Sequence, residues 1–152
     1  IEIDGYYVLS IGNANVTPWN CPRDVTEDVL ARKIDELAAQ VPDMSRCIFN
    51  VHAPPWGSNL DLAPELDEDF KPTMEGGGLK MVPVGSTAVL EAIRKWQPLL
   101  SLHGHIHESP DMSGAWKACL GKTICIQPGQ RNDLTYVLVD LEHMSIECAI
   151  SK

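Results

Sequence analysis

The stretch Leu99-Leu100-Ser101-Leu102-His103-Gly104-His105-Ile106-His107-Glu108 sets an apolar run directly against three histidines within five residues. Read as a buried strand over residues 99–103, it delivers the chain out of a sheet at Gly104. His105 and His107, two residues apart, then project from the strand end toward a common point. Neutral imidazole is the commonest side-chain metal ligand, and ligands fixed by backbone geometry need little ordering when a metal arrives. A glycine just before His105 lets the backbone turn sharply and keeps bulk away from that point. Three of the five histidines of the chain fall in this window. The concentration favours metal ligation over a loop with chance histidines.

Working outward, Arg46-Cys47-Ile48-Phe49-Asn50-Val51 is a second short apolar run, as expected of a strand covered on both faces. It ends at His52, because Pro54 and Pro55 lack the N–H that a ladder needs. His52 and His105 therefore share one address, the carboxyl end of a strand, where open α/β sheets gather their ligands. Each strand is preceded by a helical pattern. Val29, Leu30, Ile34, Leu37 and Ala38 recur at helical spacing after a cap at Asp24 or Thr26, and Pro42 marks the end. Ser86 caps the second helix, with Val89, Leu90, Ile93 and Trp96 on one face, before Gln97-Pro98 stops it. Helix then strand, twice, is the pattern of successive β-α-β crossovers.

Upstream, residues 6–11 (YYVLSI) read as a strand paired with residues 1–3 across Asp4-Gly5, and residues 12–23 as a loop. Residues 58–84 form a long insertion bordering the cleft. Its acids, Asp61, Glu65, Asp67, Glu68 and Asp69, read as a solvated face, and Gly76-Gly77-Gly78 as a hinge without the lysine of a phosphate-binding loop. After His107 the sequence predicts a Ser-Pro-Asp turn, then short strands over 115–120, 123–126, 135–139 and 145–149. Gly121-Lys122 and Leu141-Glu142-His143 act as hairpin connections, and Pro128-Gly129-Gln130 as a tight turn near the cleft. Asp140 and His143 read as exposed turn residues.

At 152 residues and 44% hydrophobic, the chain suffices for a single domain over 1–152 with a real core, and no run is long and apolar enough for a membrane span. Twelve basic against twenty-one acidic residues give a net charge of −9. That balance disfavours a broad footprint on nucleic acid or an anionic membrane, though not a phosphate ester held by cations. Cys21, Cys47, Cys119, Cys125 and Cys148 are odd in number and widely spaced, and read as reduced core thiols in a cytoplasmic protein.

The succession Asn50-Val51-His52-Ala53-Pro54-Pro55, Gly104-His105-Ile106-His107 and Gln127-Pro128-Gly129 resembles the C-terminal portion of the calcineurin-like metallophosphoesterases. The resemblance implies the C-terminal part of a β-sandwich flanked by helices (αββα, α/β class, mixed sheet), with two divalent metal ions, Mn, Fe, Zn or Ni, at strand ends. It implies His52 and His105 as ligands of one metal and His107 as a ligand of the other, and assigns His103 no ligand role. The family's D-x-H, G-D-x-x-D and G-N-H motifs have no counterpart here; Gly12-Asn13-Ala14 carries alanine where the histidine belongs. The expectation is thus a phosphomonoester or phosphodiester hydrolase of which this chain supplies three histidines and no catalytic residue. By itself it would be inactive, with a missing N-terminal half, a companion chain or self-association completing it. The alternatives are a scaffold that keeps the fold without turnover, and a zinc-stabilised structural domain.

Overall fold

The computed structural model describes residues 1–130 and 134–151, the last of these for its backbone only. Its centre is a mixed six-stranded sheet in the order residues 2–3, 6–11, 47–51, 100–102, 123–126 and 117–120. Strands β1 (Glu2–Ile3) and β2 (Tyr6–Ile11) form the expected antiparallel hairpin. Strands β2, β5 (Cys47–Val51), β10 (Leu100–Leu102) and β12 (Thr123–Ile126) run parallel, and β11 (Lys117–Leu120) closes the edge antiparallel to β12.

Register explains how so short a chain covers both faces of this sheet. Leu9, Phe49, Ser101 and Cys125 stand side by side in one row, and Val8, Ile48, Leu100 and Ile124 in the next. Successive residues point to opposite faces. The first row packs under helices α1 (Glu27–Ala38) and α2 (Thr87–Trp96), in a core with Leu30, Ile34, Val89 and Ile93. The second row meets a separate hairpin, β13 (Leu134–Asp140) with β14 (Ser145–Ser151), through Val137, Val139 and Ile146. The result is three layers: helices, mixed sheet, hairpin. The opposite side of the hairpin leaves Leu134, Tyr136 and Leu138 exposed.

The caps of α2 tie the two helices together. Ser86 Oγ accepts from Val89 N at 3.1 Å and donates to Glu27 Oε2 at 2.6 Å, and the same carboxylate accepts from Ala88 N at 2.8 Å. A residue of α1 thus satisfies the orphan donors of α2. Ser86→Ala is expected to cost about 1 kcal/mol in chemical denaturation. A midpoint indistinguishable from that of the parent would show that Glu27 alone suffices as the cap.

Several local expectations need correction. The insertion over 58–84 is not open loop but two nested antiparallel pairs, β6 (Leu62–Pro64) with β9 (Met81–Pro83) and β7 (Met74–Glu75) with β8 (Gly78–Leu79). Gly76 and Gly77 both take positive φ between Glu75 and its partner Gly78, the requirement of a type I′ hairpin turn rather than a hinge. Asp61 is not on a solvated face. It is fully buried, its Oδ2 accepting from Gly57 N at 2.8 Å and Gly85 N at 3.0 Å. The Ser-Pro-Asp segment opens a short helix, α3 (Ser109–Ser113), because Pro110 fits its first turn and Gly114 closes it in the left-handed conformation. Residues 12–23 carry a little more order than expected, since β3 (Ala14–Asn15) pairs in parallel with β4 (Asp24–Val25).

The cysteines divide by environment. Cys47 and Cys125 are buried, and burial pushes their thiols up to about 11 and about 12. Cys21 and Cys119, expected in the core, are exposed, because the first lies in the loop before β4 and the second on the edge strand β11.

Candidate functional site

The sheet itself places the histidines. Leu102 of β10 stands beside Asn50 of β5, so the two chains leave the sheet together. His52 N donates to Ile11 O at 3.1 Å, Gly104 N to His52 O at 3.0 Å and His103 N to Ile126 O at 2.8 Å. These bonds carry the ladder one step past the strand ends. The His52 ring lies where a side chain at position 104 would grow: a Cβ on Gly104 would sit 3.7 Å from its Cε1 and Nδ1.

At His105 the backbone reverses. Its φ is +69°, left-handed for a β-carbon-bearing residue, and Ile106 N donates to Gly104 O at 2.8 Å across it. This is a γ-turn with histidine at its centre, a conformation that costs on the order of 1–3 kcal/mol and persists only where the surroundings enforce it. The enforcement is visible. Fully buried Gln127 donates through Nε2 to Ile106 O at 2.9 Å and also to Leu60 O, and Gln130 N donates to His107 O at 3.2 Å. Gly129 approaches so closely that a Cβ there would stand 2.8 Å from His107 O.

The turn sets the His105 imidazole edge-on to that of His52, ring centroids 5.1 Å apart. Desolvation lowers the pKa of both, and each is lowered further by the nearby imidazoles; Arg23 adds to the effect on His52, while Asp24 and Glu108 oppose it at His105. His52 feels this although the residue is exposed overall, because its ring rests against Gly104 and His105. Both rings therefore stay neutral, with a lone pair free for an electrophile, to lower pH than an ordinary histidine.

His107 is exposed and close enough for its charge to be felt at both rings. Yet among the described residues no three His, Cys, Asp or Glu side chains converge as a group that could hold a metal ion. His52 and His105 are brought into ring contact, and His107 does not complete a three-ligand group with them. His103 has a different role. Its Nδ1 lies 3.0 Å from Val51 O and 2.9 Å from Ala53 O, so this nitrogen carries the proton and donates to both carbonyls. It clamps the strand end that carries His52. Asp140 and His143 pair with each other at 2.9 Å in the hairpin turn and are exposed, as expected.

Asp24 and Arg23 carry no mark in the sequence that would place them near the histidines, yet both are felt there electrostatically. Asp24 Oδ2 accepts from Thr17 Oγ1 at 2.6 Å, Thr17 N at 2.9 Å and Cys21 N at 2.9 Å; the Thr17 hydroxyl chiefly holds the carboxyl below its usual range. This folds the loop over 17–24 toward His105. Between that loop and the β6–β9 pair lies a cavity of about 380 Å³, to whose lining His105 and Glu108 contribute.

No family model matches the chain. It is 26% identical over 137 residues to the uncharacterized protein MJ1162 of Methanocaldococcus jannaschii, an alignment covering 89% of this chain and 53% of that protein. Among solved structures, one crystal structure superposes with a TM-score of 0.63 at 18% identity, covering 99% of this chain and 51% of the other. The crystal structure of TT1561 of Thermus thermophilus superposes with a TM-score of 0.56 at 20% identity over 95% of this chain and 53% of its own. The likeness establishes an α/β fold with a mixed sheet. The chain spans about half the length of each of these proteins.

Proposed function

We propose that this chain supplies the histidine side of a dinuclear metal centre in a calcineurin-like phosphoesterase, an enzyme hydrolysing phosphomonoesters or phosphodiesters. The observation that carries the reading is the γ-turn at His105, where backbone strain is held by buried contacts in order to set one neutral imidazole against another at adjacent strand ends. Strain of this kind collects at sites whose geometry matters more than their stability. An imidazole pair is a partial donor set. Divalent ions in a completed centre would supply the Lewis acidity for phosphoester hydrolysis.

On this reading the carboxylate ligands, and the fourth layer of a β-sandwich flanked by helices, come from chain beyond these residues, from a companion chain or from a second copy. The exposed Leu134, Tyr136 and Leu138 on the outer hairpin face are what such a layer would cover. The buried thiols fit a reducing, cytoplasmic setting. No helix among the described residues is long and apolar enough to cross a membrane.

The test is metal titration followed by NMR. Mn²⁺ should broaden the His52 and His105 imidazole signals first, with His107 following more weakly. His105→Gly should abolish the broadening at His52 while stabilising the fold by about 1 kcal/mol, because glycine takes the positive φ without strain. Equal broadening in both proteins would remove the ligand assignment.

A further inference from the structure

The cavity beside His105 has a composition that selects among phosphate esters. Its walls come from the loop before β4, through Val16 and Trp19, and from the insertion, through Ala63, Leu66, Val82 and Val84. No lysine or arginine is among the residues that line it. Its acids are Glu65 and Glu108, and Glu65 is already engaged by Lys80 Nζ at 2.8 Å and Thr73 Oγ1 at 2.9 Å. Nothing in these walls could neutralise a second phosphate or a carboxylate, and a chain of net charge −9 disfavours both. At about 380 Å³ the space lies within the range of small-molecule sites and suits one or two fused rings.

We infer that this cavity is a binding site for the uncharged, apolar organic group of a phosphate ester, with aromatic groups preferred and polyphosphate nucleotides excluded. The inference rests on the phosphoesterase reading for the word ester; the cavity's preference for an uncharged ring does not depend on it. Trp19 and His105 line the same cavity, so a ring seated against Trp19 occupies the space that His105 borders. Trp19 is 66% exposed, so a ligand would cover apolar surface that now faces water.

The probes are 1-naphthol, 1-naphthyl phosphate and ATP, added to the 152-residue chain without metal and followed through the Trp19 indole and Ala63 methyl NMR signals. 1-Naphthol should shift both signals saturably, and ATP should shift neither. Trp19→Ala, whose side chain contributes little to the core, should weaken 1-naphthol binding by roughly tenfold or more. Val82→Trp, which fills the space, should abolish it; retained chemical-shift dispersion in both variants shows that they fold. Absent saturation by 1-naphthol, comparable binding of ATP, or unchanged affinity in both variants would overturn the inference. With Mn²⁺ added, 1-naphthyl phosphate should bind more tightly than 1-naphthol. If 1-naphthol binds in the cavity but Mn²⁺ neither broadens the His52 and His105 signals nor brings such a gain, the phosphoesterase reading fails while the apolar site stands.

Discussion

Gly85→Ala is expected to destabilise the protein by about 3 kcal/mol or more, enough to lower its denaturation midpoint severely. A Cβ at this position would lie 2.6 Å from Pro54 O, 2.8 Å from Asp61 Oδ2 and 2.9 Å from Asp61 Cβ. None of these can withdraw cheaply. Pro54 O accepts from Ser86 N at 2.9 Å, and Asp61 Oδ2 holds both Gly57 N and Gly85 N. Moving Asp61 would leave the buried Gly85 N and the part-buried Gly57 N unpaired, and moving Pro54 would pull on Ala53, whose carbonyl accepts from His103, and on His52 beyond it. The penalty is steric, not conformational. Gly77→Ala makes the comparison, since its φ of +87° is unfavourable for alanine but the space around it is open; that change should cost only about 1 kcal/mol. Similar losses at the two positions would contradict the close-packed account of Gly85.

Stability should also fall between pH 6.5 and 4, by about 3 kcal/mol attributable to His103. Burial is the main cause of its depressed pKa, about 4 against an ordinary value of 6.5, and outweighs the two carbonyl hydrogen bonds that favour the charged ring. The folded protein therefore keeps this imidazole neutral over a range in which the unfolded chain protonates it. The associated stabilisation is fully present above 6.5 and is lost as pH falls toward the folded value near 4. Its Nε2 is buried without a hydrogen-bond partner among the described residues, so a second proton there has no acceptor to meet. His103→Gln can keep a donor for Val51 O and Ala53 O without titrating. Urea denaturation at several pH values should show a much flatter dependence in that variant; parallel curves would assign the acid sensitivity to other groups.

Gly85 and His103 bear differently on what was legible in the chain. His103 stands in a window whose importance is evident from its density of histidines, yet its role as a clamp on the His52 strand end depends on two carbonyls about fifty residues away. Gly85 and Asp61 carry no such mark. Asp61 reads as one more acid in an acidic insertion, and only the approach of Gly57 N and Gly85 N to one carboxylate oxygen makes it a buried anchor. The cavity is likewise invisible in the sequence, because its walls come from separate stretches within residues 15–21, 63–66, 82–84 and 105–108.

Local chemistry by itself determined the two helices, the parallel strands and the His52 and His105 addresses. Hydrophobic period, caps and proline stops act over a few residues and agree with one another here. Tertiary structure alone decided that His105 turns through a positive φ to meet His52, that His107 completes no three-ligand group with that pair, and that Asp61 is buried. Each of these depends on contacts between segments remote in sequence. Their free energies arise only once the sheet has brought those segments together.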